Sequence, residues 1–144
     1  LVAWLNQSSM LPVKLAGNGD RPEAGQVLIA GTNNHLVLRS NLSLRYVHEP
    51  ARLPYRPSVD VFFHSVARHW PVPGSALLLT GIGQDGAEGM VLLQSAHWDT
   101  IAESAQSCVA FGMPKSVIER GAANHILPLE TIPPYLIRTL TRRP

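Results

Sequence analysis

The chain has 144 residues, of which 45% are hydrophobic and 15% charged, and its formal net charge is +2. This composition can form the core of one domain, and it excludes an intrinsically disordered protein. The weak positive charge without a Lys/Arg cluster argues against nucleic-acid binding, and no apolar run approaches the roughly 20 residues that cross a bilayer. The one cysteine, Cys108, rules out an internal disulfide and favours a reducing compartment, so a cytoplasmic location is expected.

Short elements separated by turns are predicted in the first half of the chain. They are the end of a helix at 1–6, a strand at 11–16, and apolar runs at 27–30, 35–38 and 42–47. The turn residues between the three runs predict a meander or paired hairpins. Ser58 suits the N-cap of a helix over 59–70, because apolar side chains there recur at i, i+3, i+4 and i+7.

Strands and helices alternate from residue 75 onward. The predicted strands are 75–80, 100–103 and 125–128, and the predicted helical segments are 86–96, a short turn at 104–109, 114–121 and 131–139. Such alternation is typical of a parallel sheet. The expected fold is therefore α/β, with a mainly parallel sheet flanked by helices on both faces in a Rossmann-like three-layer arrangement, and a small antiparallel hairpin or meander insertion.

The most informative stretch is the loop 80–86, Thr-Gly-Ile-Gly-Gln-Asp-Gly, between a predicted strand and a predicted helix. Its G-x-G-x-x-G pattern, followed about 20 residues later by Glu103, matches a dinucleotide-binding fingerprint. Against this, Asp85 places a negative charge beside the helix N-terminus where a pyrophosphate would bind. Asp85 could instead cap the helix, or orient a catalytic histidine as the aspartate of a Ser-His-Asp triad does.

Several motifs in order resemble the CheB family of chemotaxis protein-glutamate methylesterases. They are the loop and its continuation at 80–89, Thr-Ile-Ala-Glu at 100–103, and Ser-Cys-Val-Ala-Phe-Gly-Met-Pro-Lys at 107–115, with further pieces at 27–31 and 56–63. The match extends from about residue 1 to 140. Details at residues 3–5 and 30–33 resemble members from surface-sensing (Wsp-like) pathways.

The resemblance implies a serine hydrolase of two-component chemotaxis signalling that needs no cofactor. Its implied substrates are glutamate methyl esters, and often glutamines, on the cytoplasmic helices of chemoreceptors. An N-terminal receiver domain that gates the site when phosphorylated is often attached in the family. By position in the family motif, Asp85 corresponds to the triad aspartate. The other implied site residues are the active-site loop Thr80, Gly81, Ile82, Gly83 and Gly86, and Met113 and Pro114 on the substrate side.

The family's other two triad residues have no counterpart in this sequence. The nucleophile belongs to an N-terminal G-x-S-x-G-G-type loop, and the histidine follows a second strand; neither motif is present. We therefore expect residues 1–144 to be part of one such domain without its N-terminal portion, and to be inactive alone. Two departures concern the site: Ile82 stands where the family usually has Met, and Glu103 where it usually has Gln.

Two functions of other classes remain open. The chain could be a non-catalytic regulatory or binding module, since it lacks a recognisable nucleophile. It could also be a dinucleotide-binding domain that uses Gly81, Gly83, Gly86 and Glu103. No metal site is expected, because the six histidines lack metal-ligand spacing.

Overall fold

The computed structural model describes residues 1–142 and divides the chain into two compact units that meet in sequence at Pro71 and Val72. The first unit contains α1 (Val2–Ser8), β1 (Val13–Leu15), β2 (Val27–Ile29), β3 (His35–Leu38), β4 (Leu44–Val47) and α2 (Val59–His69). The second unit contains β5 (Ser75–Leu78), α3 (Ala87–Ser95), β6 (Asp99–Glu103), α4 (Met113–Glu119), β7 (His125–Leu127), a 3-10 turn (Leu129–Thr131) and α5 (Ile132–Thr141). Among the residues described, no helix combines the length and the apolar character needed to cross a membrane.

Strand pairing in the first unit differs in part from the predicted meander. β3 and β4 form the expected antiparallel hairpin, with His35 opposite Val47. β2, however, pairs with β1 in a parallel sheet, with Val13 opposite Val27. The prediction of consecutive hairpins was wrong for β2 because hydrophobic runs identify strands but not their partners. The long connection between β1 and β2 lets the chain return in the same direction.

A buried histidine ties the hairpin to the helix that follows it. The ring of His35 is completely buried; its Nδ1 accepts the Ser58 N–H at 3.1 Å, and its Nε2 lies 3.0 Å from the Pro50 carbonyl oxygen. Ser58 is the N-cap of α2, as predicted, and its hydroxyl oxygen accepts the Val61 N–H at 3.4 Å. His35 therefore has a structural position in this unit.

The second unit is built on a three-stranded parallel sheet in the order β5-β6-β7. The central strand β6 is the most buried, and α3 and α4 pack against it and against each other. Met90 and Leu93 of α3 and Val117 of α4 are completely buried. All three strands are parallel, so their carboxyl ends lie at one edge. The expected α/β class with a parallel sheet and a small antiparallel hairpin is thus confirmed.

Candidate active site

Two loops leave the carboxyl edge of the parallel sheet side by side. The aspartate loop, residues 80–86, follows β5, and the β6–α4 loop, residues 104–112, follows β6. Functional side chains of open α/β sheets gather at this edge. The loops therefore occupy the position where a site is expected in this unit.

Backbone hydrogen bonds join the two loops in the manner of a short extra stretch of sheet. Gly81 forms a parallel bridge with Phe111, and its N–H donates to the Ala110 carbonyl oxygen at 3.0 Å. The Gly81 carbonyl oxygen accepts the N–H groups of Gly112 and Met113 at 3.1 and 2.9 Å. The start of the aspartate loop is therefore fixed to the segment that begins α4.

The glycines of the two loops are explained by close backbone approach. A Cβ on Gly112 would lie 2.7 Å from the Gly81 carbonyl oxygen and 2.9 Å from the Gly83 nitrogen, and a Cβ on Gly81 would lie 2.5 Å from the Met113 sulfur. Gly83 and Gly86 have φ angles of 97° and 96°, in the left-handed region that favours glycine. This geometry accounts for the G-x-G-x-x-G pattern without a phosphate.

Thr80, the first residue of the aspartate loop, is held by Glu103 at the end of β6 and by Ala110. The Thr80 hydroxyl accepts the Ala110 N–H at 2.8 Å, and the Thr80 N–H donates to Glu103 Oε2 at 2.7 Å. The other carboxylate oxygen, Oε1, accepts the Ser107 hydroxyl at 2.9 Å, and the Ser107 oxygen accepts the Leu129 N–H at 2.8 Å. Glu103 is only 1% exposed, so its carboxylate is used inside the structure.

The burial of Glu103 argues against the dinucleotide alternative. A ribose-binding acid must present its carboxylate to a ligand at the edge of the sheet, whereas both oxygens of Glu103 accept protein hydrogen bonds. The departure from the family's usual Gln at this position therefore places a buried side chain beside the site, one that bonds the aspartate loop. Sequence reasoning missed this role, although Glu103 directly follows three apolar or small residues that a buried strand would contain.

The remaining predicted site residues fall into exposed and packed positions. Asp85 is half-buried and precedes Gly86, which is the N-cap residue of α3, so the cap position lies one residue beyond Asp85. Ile82 is 80% exposed at the tip of the aspartate loop. Met113 is half-buried against Gly81, and Pro114 is fully buried in the first turn of α4. Pro114 therefore has a packing position here, and contact of Met113 and Pro114 with substrate stays a prediction.

The histidines of the second unit lie at the opposite edge of its sheet. His97 precedes β6 and His125 begins β7, so both are at the amino edge. His125 Nε2 is 3.5 Å from Asp99 Oδ1, and the Tyr135 hydroxyl donates to Asp99 Oδ2 at 2.7 Å. This His-Asp pair is an arrangement separate from Asp85, because the sheet lies between them.

Two serines at the carboxyl edge also lack the features of an activated nucleophile. The Ser107 hydroxyl is bonded to Glu103 and Leu129, as described above. The Ser104 hydroxyl oxygen is buried and has no hydrogen-bond partner, for which the structure offers no account. An activated serine needs an adjacent base, and neither hydroxyl is paired with an imidazole. Within residues 1–142, no group of three or more His, Cys, Asp or Glu is placed to hold a metal ion.

Cys108 is a further potential nucleophile, but its environment disfavours the thiolate. Burial raises the pKa of the Cys108 thiol, and the negative charge of Glu103 raises it further. The thiol Sγ lies 3.7 Å from the Glu103 carbonyl oxygen. Because the thiolate is the reactive form, Cys108 is expected to be slow to react at neutral pH.

The pH dependence of alkylation tests this environment. We expect the midpoint for labelling Cys108 by iodoacetamide to lie at higher pH in the folded protein than in urea, where burial and Glu103 no longer act on the thiol. Mass spectrometry can follow the labelling, since Cys108 is the one cysteine of the chain. Equal midpoints in the two states would contradict the expected environment.

Comparison with known proteins extends over nearly the whole chain. A family model described as CheB methylesterase matches residues 1–136. A protein-glutamate methylesterase/protein-glutamine glutaminase 1 of Bordetella avium (strain 197N) is 48% identical over 136 residues, which are 94% of this chain and 40% of that protein. A protein-glutamate methylesterase/protein-glutamine glutaminase 3 of Pseudomonas aeruginosa strain PAO1 is also 48% identical, over 94% of this chain and 41% of that protein.

A solved structure shares the fold. The crystal structure of the Thermotoga maritima CheB methylesterase catalytic domain is similar with a TM-score of 0.89 and 35% sequence identity. The likeness covers 96% of this chain and 75% of that one. The chain itself spans about two fifths of the length of these curated relatives, 40% for the Bordetella protein and 41% for the Pseudomonas protein.

Proposed function

The chain belongs to the CheB methylesterase family, and from this membership we propose that it is part of a protein-glutamate methylesterase that also deamidates protein glutamines. The observation that carries the proposal is the match to this family over residues 1–136, which includes both loops of the candidate site. The names of the relatives give the two reactions. Both are hydrolyses of a glutamyl acyl group, so one site can perform them.

In the proposed mechanism, Asp85 is the aspartate of a Ser-His-Asp triad. It accepts the Nδ1–H of the catalytic histidine, holds that tautomer and stabilises the imidazolium. A serine oxygen attacks the ester carbonyl while the histidine takes its proton, and the histidine returns the proton to the departing methanol. Water then cleaves the acyl-enzyme and leaves the glutamate carboxylate. Glutamine follows the same path with ammonia as the leaving group.

The serine and the histidine are proposed to come from outside residues 1–144. The carboxyl edge of the second unit supports this, because its Ser104 and Ser107 lack an imidazole partner and its histidines lie at the amino edge. We propose that the serine and the histidine correspond to residues in the portion of the relatives that this chain does not match.

The proposed substrates are methyl esters and glutamines on the cytoplasmic helices of chemoreceptors, which places the reaction in the cytoplasm. A receiver domain in the full-length protein is proposed as the regulator of the site. Assignment to the surface-sensing subgroup stays a prediction.

A chimaera tests the proposed function. Residues 1–144 would replace the matching segment of the Bordetella avium relative, and methanol release from a methylated chemoreceptor would be measured. We expect the chimaera to be active and residues 1–144 alone to be inactive, since loss of the serine or histidine of subtilisin lowers kcat about 10⁶-fold.

Two results of the chimaera experiment would contradict parts of the proposal. A chimaera that folds but releases no methanol would contradict the methylesterase and favour a non-catalytic module. Methanol release by residues 1–144 alone would contradict an external serine and histidine. The parent Bordetella protein is the positive control, and an unmethylated receptor is the blank.

A further inference from the structure

We infer that Glu103 is a positioning residue for the aspartate loop. Its buried carboxylate holds Thr80, the first residue of the loop, and thereby keeps Asp85 in the position that the proposed triad requires. This role rests on the proposed function, because it matters only if Asp85 belongs to the catalytic triad of a methylesterase. Glu103 is not expected to contact the substrate, since it is 1% exposed.

The position of Glu103 relative to the sheet explains why a side chain is needed there. Regular pairing between β5 and β6 ends at Leu78 and Ala102. Pairing resumes at the bridge between Gly81 and Phe111. Between these two points, Glu103 Oε2 accepts the Thr80 N–H at 2.7 Å. The carboxylate thus replaces a missing backbone acceptor and closes the gap.

The same carboxylate connects two further segments of the carboxyl edge. Oε1 accepts the Ser107 hydroxyl of the β6–α4 loop, and the Ser107 oxygen accepts the N–H of Leu129, which begins the 3-10 turn before α5. A buried carboxylate is costly unless its oxygens are bonded, and hydrogen bonds to an ionised group are stronger than neutral ones. Glu103 is therefore a junction of three segments.

Loss of the bond between Glu103 and the Thr80 N–H should act on Asp85 through the backbone. The Thr80 hydroxyl still bonds Ala110 and Gly81 still bonds the β6–α4 loop, but the Thr80 N–H has lost its acceptor. An unpaired backbone N–H is unfavourable, so the backbone at Thr80 is expected to move and to shift the loop up to Asp85. Misplacement of a catalytic group by about 1 Å can cost about 10²-fold in rate. Because Glu103 does not touch the substrate, the loss should appear in kcat more than in KM.

The test uses three variants of the active chimaera. Glu103→Met keeps a side chain of similar length and removes both acceptors; we expect kcat to fall about 10- to 100-fold with KM changed less than about three-fold. Glu103→Gln retains an acceptor for the Thr80 N–H and should recover most of kcat. Ser107→Ala is the matched control, since it breaks the same cluster but leaves the bond between Glu103 and Thr80.

Hydrogen exchange gives a second measurement that does not depend on catalysis. Exchange in the segment 79–86, followed by mass spectrometry, should be faster in Glu103→Met than in Glu103→Gln or Ser107→Ala. If Glu103→Met fails to fold, Glu103→Ala replaces it in both assays, and the comparison of Glu103→Gln with Ser107→Ala is kept.

The possible results distinguish failure of the positioning role of Glu103 from failure of the proposed methylesterase function. Equal kcat values in Glu103→Met, Glu103→Gln and the unmodified chimaera would overturn the positioning role, as would a loss in Ser107→Ala as large as in Glu103→Met. A folded but inactive unmodified chimaera would count against the proposed function alone. Hydrogen exchange in the segment 79–86 would then still support or overturn the junction at Glu103.

Discussion

Replacement of Asp85 by Asn is expected to lower kcat of the active chimaera by about 10³- to 10⁴-fold with little change in KM. An amide cannot stabilise an imidazolium and favours the wrong histidine tautomer, and the equivalent change in a serine protease costs about 10⁴ in kcat. Asn has nearly the shape of Asp, and Asp85 is only half-buried, so the fold should be kept. Methanol release gives the rate, and circular dichroism with a melting curve gives the fold.

A matched control lies three residues further along the chain. Glu88 is exposed in the first turn of α3, and Glu88→Gln removes a charge at the same end of the same helix. We expect this variant to retain its rate within about two-fold, because an exposed acid in the first turn of a helix contributes only about 0.3–1 kcal/mol to stability and Glu88 has no part in the proposed triad. An Asp85→Asn variant with full activity, or an equal loss in Glu88→Gln, would remove Asp85 from the triad.

Replacement of Gly112 by Ala is expected to have the largest effect on stability. The new Cβ would meet the Gly81 carbonyl oxygen at 2.7 Å and the Gly83 nitrogen at 2.9 Å, and both are backbone atoms that cannot rotate away. Forced overpacking of this kind costs about 1–3 kcal/mol and sometimes more. The hydrogen bonds that join the two loops would also be strained, so activity of the chimaera should fall with stability. Urea denaturation measures the change in the free energy of unfolding.

Gly121→Ala is the control for the Gly112 variant. Gly121 has a φ of 66°, and a Cβ built there meets no atom within 4 Å. Its replacement therefore carries the backbone strain of the left-handed region, roughly 1–2 kcal/mol, without a clash. Only Gly112→Ala creates a clash between the two loops. A loss of stability in Gly112→Ala no larger than that in Gly121→Ala would therefore contradict the close approach of the loops.

Local sequence patterns predicted the elements of the second unit well. Apolar runs and helical periodicity located β5, α3, β6, α4 and β7 within a few residues, because such periodicity reflects which side of each element is buried. β5 is shorter than predicted and ends at Leu78 rather than residue 80. The reason is tertiary: the Thr80 N–H bonds the Glu103 side chain instead of a strand backbone.

The candidate site was predictable only in part. The motif order identified the family, which the comparisons confirm, and the glycine loop placed Asp85 at the end of a strand. The sequence could not show that Gly112 is needed for the approach of two backbones, nor that Pro114 is buried. It also could not show that His125 pairs with Asp99 at the opposite edge of the sheet from Asp85.

The sequence by itself determined the class of the fold, the family and the loop that carries Asp85, because these depend on residues close together in the chain. Tertiary structure alone decided the parallel pairing of β2 with β1 and the position of Glu103. Both depend on contacts between residues far apart in the chain, and hydrophobic periodicity does not encode such contacts. For that reason an acid that could have bound a ribose is instead buried beneath Thr80, where it bonds the backbone of the aspartate loop.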